Sequence, residues 1–68
     1  MRYAIVIERA AGNYSAYVPD LPGCVAAGRT RRGVEKLIRE AIRLHIEGLR
    51  QDGLSVPDPS SICEYVEA

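Results

Sequence analysis

The 68-residue chain has no tryptophan, no phenylalanine, one methionine, one histidine and two cysteines. Each scarcity excludes something. No apolar run approaches the roughly 18 residues that cross a bilayer. The apolar stretch after Met1-Arg2 is too short for a secretory leader and is followed by charge, so a cytoplasmic protein with no membrane contact is expected. With one histidine and no Cys-x-x-Cys, a four-ligand zinc site lacks donors. Cys24 and Cys63 are expected as reduced thiols packed like small hydrophobes. No cofactor is expected. Six glycines and four prolines are too few for a low-complexity chain. Net charge is also absent, with nine basic against nine acidic side chains, whereas a nucleic-acid-binding domain is usually basic overall.

What is present is 47% hydrophobic, enough for one globular domain over residues 1–68. Below about 70–80 residues a single core seldom supplies more than about 3–5 kcal/mol. With disulfide and metal disfavoured, oligomerisation into a dimer or larger is the expected support. Charge is segregated. Residues 29–50 carry seven cations against Glu35, Glu40 and Glu47, and residues 51–68 carry Asp52, Asp58, Glu64 and Glu67 with no cation.

Residues 2–8 are β-branched and aromatic and read as a strand apolar on both faces, hence central in its sheet. Ala11-Gly12-Asn13 is a turn, and Tyr14–Val18 returns as an antiparallel strand. Pro19-Asp20-Leu21-Pro22-Gly23 breaks strand and helix alike. Cys24–Ala27 gives a third strand, ended by Gly28. From the N-cap Thr30 to Asp52 the apolar residues Val34, Leu37, Ile38, Ala41, His45, Gly48 and Leu49 recur at helical spacing, and Gly53 is the stop. Glu35 with Arg39, and Arg43 with Glu47, can pair at four-residue spacing. Pro57 and Pro59 mark an extended loop, and Ile62–Val66 a last short strand. The order β-β-β-α-β predicts an α+β domain with a four-stranded mixed sheet and one helix on one face.

Tyr17-Val18-Pro19-Asp20-Leu21-Pro22-Gly23-Cys24, followed by Gly28 and Thr30 ahead of a helix, is the most specific stretch. The prolines restrict the loop, Gly23 permits a sharp turn, and Asp20 can bond backbone amides within the loop. This pattern resembles the HicB-like antitoxin family. The likeness includes the aromatic-rich first strand, the Tyr-x-Ala-Tyr-Val-Pro-Asp-Leu-Pro-Gly-Cys segment, the Gly-x-Thr before the helix, and Gly53 followed by Pro57-x-Pro59. It implies a partial ribonuclease-H-like fold and a partner, a small messenger-RNA-cleaving toxin that the domain masks. Many members also carry a C-terminal DNA-binding segment. This chain ends at Ala68 without one, so no direct DNA binding is expected. Arg31, Arg32 and Gly33 also stand where the family often has a glutamate in the helix's first turn.

Nuclease chemistry needs several carboxylates converging on metal. Before the helix the chain offers only Glu8 and Asp20, so no catalytic role is expected. His45, on the apolar stripe, is expected as a packed histidine. Tyr14, Tyr17 and Tyr65 are expected at the edge of the core rather than as a base-stacking platform. Arg29, Arg31 and Arg32 oppose the helix dipole; plain solvation of the cluster is the expected reading, and a phosphate or an acidic partner surface would relieve the cost. The expected partner-contact residues are Tyr17, Pro19, Asp20, Leu21, Pro22 and Gly23, with Arg29 and Arg32. Two other readings remain open: a small RNA-binding module using the basic helix face, and an oligomeric protein-binding scaffold.

Overall fold

Strand β1, Val6–Ala10, turns through Ala11 and Gly12 into β2, Asn13–Tyr17, and β3, Val25–Gly28, adds on the far side of β2. These elements come from a computed structural model that describes residues 1–68. Both pairings are antiparallel and the order is β1-β2-β3, a simple meander. Because side chains alternate along a strand, the register sorts the sheet into two faces. Ile7, Ala16 and Ala26 align in one row, and Val6, Tyr17 and Val25 in the next. Ala16 is buried, with Ile7 and Ala26 packed against the core. The second row has no layer over it, leaving Tyr17 42% and Val25 64% exposed.

One helix, α1, Arg31–Gln51, covers the inner face and lies chiefly over β3 and β2. Thr30 caps it with extended backbone, its hydroxyl accepting from the Gly33 N–H at 2.9 Å. Gly28 brings β3 against the helix start. A Cβ at this position would lie 3.2 Å from the Val34 nitrogen. The packed face runs along Val34, Ile38, Ala41, Ile42 and Ile46. It is rotated from the expected stripe, so Leu37 is 45% exposed. The row at four-residue spacing, not the wider stripe, lies over the strands. At 1.5 Å per residue, α1 is about 31 Å long, against about 17 Å for a five-residue strand. Its C-terminal half therefore overhangs the sheet, where Ile42 and Ile46 lie beside Met1 and Tyr3. The core is a single cluster of Ala16, Val18, Leu21, Cys24, Val34 and Ile38. No helix is long and apolar enough to cross a membrane.

Two strand expectations are corrected. The first strand begins at Val6 rather than Arg2. Extending the register would set Ile5 and Ala4 against Val18 and Pro19. Val18 faces β3, its N–H donating to the Cys24 carbonyl at 3.2 Å, so the next rung toward β1 falls on Pro19, and proline has no N–H to give. Ile62–Val66 forms no strand, so the sheet is three-stranded and antiparallel rather than four-stranded and mixed. Ile62, Tyr65 and Val66 are 85%, 100% and 87% exposed. No apolar burial draws this segment onto its own sheet, and the fourth strand expected of a ribonuclease-H-like fold is missing from the single chain.

Both cysteines are free thiols, Cys24 buried and Cys63 exposed. Burial pushes the Cys24 thiol above its ordinary 9.0, which disfavours the reactive thiolate. One thiol of two is expected to react with Ellman's reagent in the folded protein, and both in denaturant. Immediate titration of two thiols under native conditions would contradict the burial of Cys24.

Candidate functional site

The proline-rich loop is built from two consecutive tight turns. The Leu21 N–H donates to the Val18 carbonyl at 3.1 Å, and the Cys24 N–H to the Leu21 carbonyl at 3.0 Å. Pro19 takes the second position of the first turn and Pro22 that of the second, where its fixed φ suits the turn. Gly23 follows at φ +84°, the left-handed conformation that a turn of this kind requires. Leu21, shared by both turns, is driven inward and is fully buried. Pro19, Pro22 and Gly23 form the exposed rim.

Asp20 turns the other way and clamps a distant segment. Its Oδ2 accepts from the Ser60 and Ser61 amides at 2.9 and 3.0 Å, and its Oδ1 from their hydroxyls at 3.1 and 2.8 Å. The partners expected within the loop are thus replaced by partners 40 residues on. The Ser61 amide, then the Ser60 amide, then the Ser61 hydroxyl hold the carboxyl at about 2, down from 3.8, against a smaller opposing effect of desolvation. The clamp favours the ionised form. Its stabilisation is complete above 3.8 and is lost progressively as the pH falls to about 2,. The Ser60 and Ser61 amide resonances are expected to titrate with a midpoint near 2. A midpoint near 3.8 would mean a free carboxylate.

No three His, Cys, Asp or Glu side chains converge in a metal-binding group. His45 is half-buried. The chain instead offers a surface: the outer sheet row Val6–Tyr17–Val25, with the rim of the proline loop continuing from the end of β2. Residues 3–68 match the family described as the HicB-like antitoxin of bacterial toxin–antitoxin systems.

The chain belongs to the HicB-like antitoxin family. A chain of a solved HicA3 and HicB3 toxin–antitoxin complex superposes with a TM-score of 0.75 at 35% identity, covering 87% of this chain and 70% of that one. An uncharacterised 14.9 kDa protein from the rep–hol intergenic region of Haemophilus phage HP1 is 39% identical over 66 residues. That match takes in 97% of this chain but 50% of the phage protein, so this HicB-like chain spans half the length of that relative. A UPF0150 protein of Thermoplasma acidophilum is 38% identical over 58 residues, covering 84% of each.

Within this HicB-like domain, Tyr17, Pro19, Pro22, Gly23, Arg29 and Arg32 are exposed, Asp20 is half-buried in its clamp, and Leu21 belongs to the core. Arg29 and Arg32 lie at the helix N-terminus, whose first turn carries no acidic residue. The ion pair on α1 is Arg39 with Glu35 at 3.9 Å, both largely solvated. Arg43 and Glu47 do not pair. Tyr14 and Tyr17, three apart on one strand, point to opposite faces, so they cannot share a stacking platform. Val25 was not expected in the site. Its signal was the alternation Val25-Ala26-Ala27, which sets it across from Tyr17.

Proposed function

We propose that this chain is a non-catalytic antitoxin that binds a small messenger-RNA-cleaving toxin and occludes its active site. The observation that carries this reading is the 35%-identical superposition on a chain of a toxin–antitoxin complex. The open row Val6–Tyr17–Val25, with Pro19, Pro22 and Gly23, is the proposed contact surface. An aromatic set between aliphatic side chains on a rigid sheet is the kind of group that anchors interfaces. Arg29 and Arg32 extend the surface with positive charge that the helix dipole leaves unfavourable on its own. Residues 1–68 act as one toxin-binding domain, in the cytoplasm.

The test is inhibition. The small protein that co-purifies with the tagged chain from native lysate is taken as the candidate toxin and assayed for RNA cleavage while the chain is titrated in. Cleavage is expected to stop at one equivalent and to stay inhibited at high salt. Cleavage that continues in the presence of excess chain would overturn the reading. Direct RNA binding by the chain, falling steeply with salt, would instead identify the basic helix face as the working surface.

A further inference from the structure

Five of the nine cations stand in a single ridge on α1. Arg32, Lys36, Arg39, Arg43 and Arg50 follow one another at four, three, four and seven residues. At 3.6 residues per turn they fall within about 60° of arc, and at 1.5 Å per residue the ridge runs about 27 Å. All five are exposed. The ridge lies on the far side of the helix from Val34, Ile38 and Ala41, which belong to the packed face. It is therefore on the opposite side of the molecule from the outer face of the sheet.

The ridge works against the helix that carries it. Like charges three or four residues apart repel. Three such pairs stand in succession here: Arg32 with Lys36, Lys36 with Arg39, and Arg39 with Arg43. One acid answers them, Glu35, which meets Arg39 at 3.9 Å largely in solvent. Packing does not need the ridge and the helix is weaker for it, the pattern of a surface kept for a ligand. A groove runs beside it. Where α1 overhangs the sheet, Met1, Tyr3, Ile42 and Ile46 form the apolar floor of an open cleft of about 330 Å³. Arg39, Arg43 and Arg50 stand along this cleft, against Glu47. Apolar contact and carboxylate recognition are offered side by side.

We propose that this face of α1 docks an acidic amphipathic segment of a partner protein, helical in the complex, whose apolar side chains enter the groove and whose carboxylates meet the arginines. Helix-in-groove recognition uses apolar anchors at three- and four-residue spacing, and arginine forms paired hydrogen bonds with carboxylates. The geometry favours a peptide over a nucleic acid. A phosphodiester is charged at every unit and would also meet Glu35, Glu40 and Glu47, which flank the ridge. A peptide can place its carboxylates opposite the cations alone. The groove holds one aromatic ring, Tyr3, too few for a run of stacked bases. The inference uses no contact assigned to the toxin and stands without it.

The probe is a fluorescent peptide of about 18 residues, five helical turns, with leucines at three- and four-residue spacing and glutamates on either side of them. Fluorescence anisotropy with the whole chain measures its binding, which is expected in the micromolar range. Arg39→Gln with Arg43→Gln is expected to weaken it by about 10-fold or more, because two carboxylate partners are removed. Both arginines are exposed and glutamine suits a helix, so the circular dichroism spectrum should not change. Arg2→Gln with Arg9→Gln removes the same charge away from α1 and should leave the affinity close to that of the wild type. Exchanging the peptide's leucines for glutamine, or its glutamates for lysine, should abolish binding. These peptide changes test the same contacts without touching the stability of the chain. A peptide that does not bind, that binds as well with lysine for glutamate, or that is indifferent to Arg39 and Arg43 overturns the proposal. So does tighter binding of a uridine oligonucleotide or of phosphatidylglycerol vesicles, since the ridge would then serve RNA or a lipid surface.

Discussion

Leu21→Ala is expected to cost about 2–5 kcal/mol of unfolding free energy, the range for deleting a fully buried leucine side chain. Leu21 has no exposed surface although it sits in a loop between two prolines. A domain this small has only about 3–5 kcal/mol in hand, so much of the variant should be unfolded at 25 °C. The loss has two sources. The deleted methyl groups no longer leave water on folding, and the turn hydrogen bonds at Val18, Leu21 and Cys24 hold the backbone where it cannot collapse into the void. Urea unfolding followed by far-ultraviolet circular dichroism measures this directly. A midpoint equal to that of the wild type would mean that Leu21 is not part of the core, and would return it to the partner-contact surface.

Tyr17→Ala combined with Val25→Lys is expected to have the opposite profile. The affinity for the toxin should fall by about 100-fold or more, as when a central aromatic anchor is removed. The fold should survive, because both side chains lie on the uncovered face of the sheet and lysine is well tolerated on an edge strand such as β3. Calorimetric titration against the purified toxin, paired with a thermal melt, separates the two effects. Unchanged affinity would move the contact surface away from the outer row. Lost affinity with a collapsed melt would show that the row supports the sheet rather than the partner.

Local structure was largely legible in the sequence. Thr30 and Gly53 carry strong start and stop chemistry, and the helix runs between them. Gly12 and the two prolines placed both breaks in the meander, because turn chemistry acts over three or four residues. What the sequence did not disclose depends on contacts across the chain. Nothing near Asp20 shows that its partners are Ser60 and Ser61. Leu21 read as loop because its neighbours are turn formers, although an aliphatic residue three from both Val18 and Cys24 was a usable signal for burial. Ile62–Val66 has the composition of a strand, but a strand exists only when its ladder has a second member. Of the candidate site, Tyr17, Pro19, Pro22 and Gly23 were named from sequence and lie exposed together near the end of β2. Val25 was missed because its pairing with Tyr17 is a matter of register.

The two ties that join the end of the chain to its beginning, Tyr3 to the Pro57 carbonyl and Asp20 to Ser60 and Ser61, span 54 and 40–41 residues. The hairpins and the helix link near neighbours in sequence. A chain wired this way has a quick route to its transition state through the meander and α1, because short-range contacts close at little entropic cost. The distant clasp then forms on the downhill side of the barrier. Loosening it speeds escape from the native state and leaves the rate of reaching that state nearly unchanged. The segment from Pro57 onward therefore sets the lifetime of the folded molecule, and the meander with α1 sets how soon it is made.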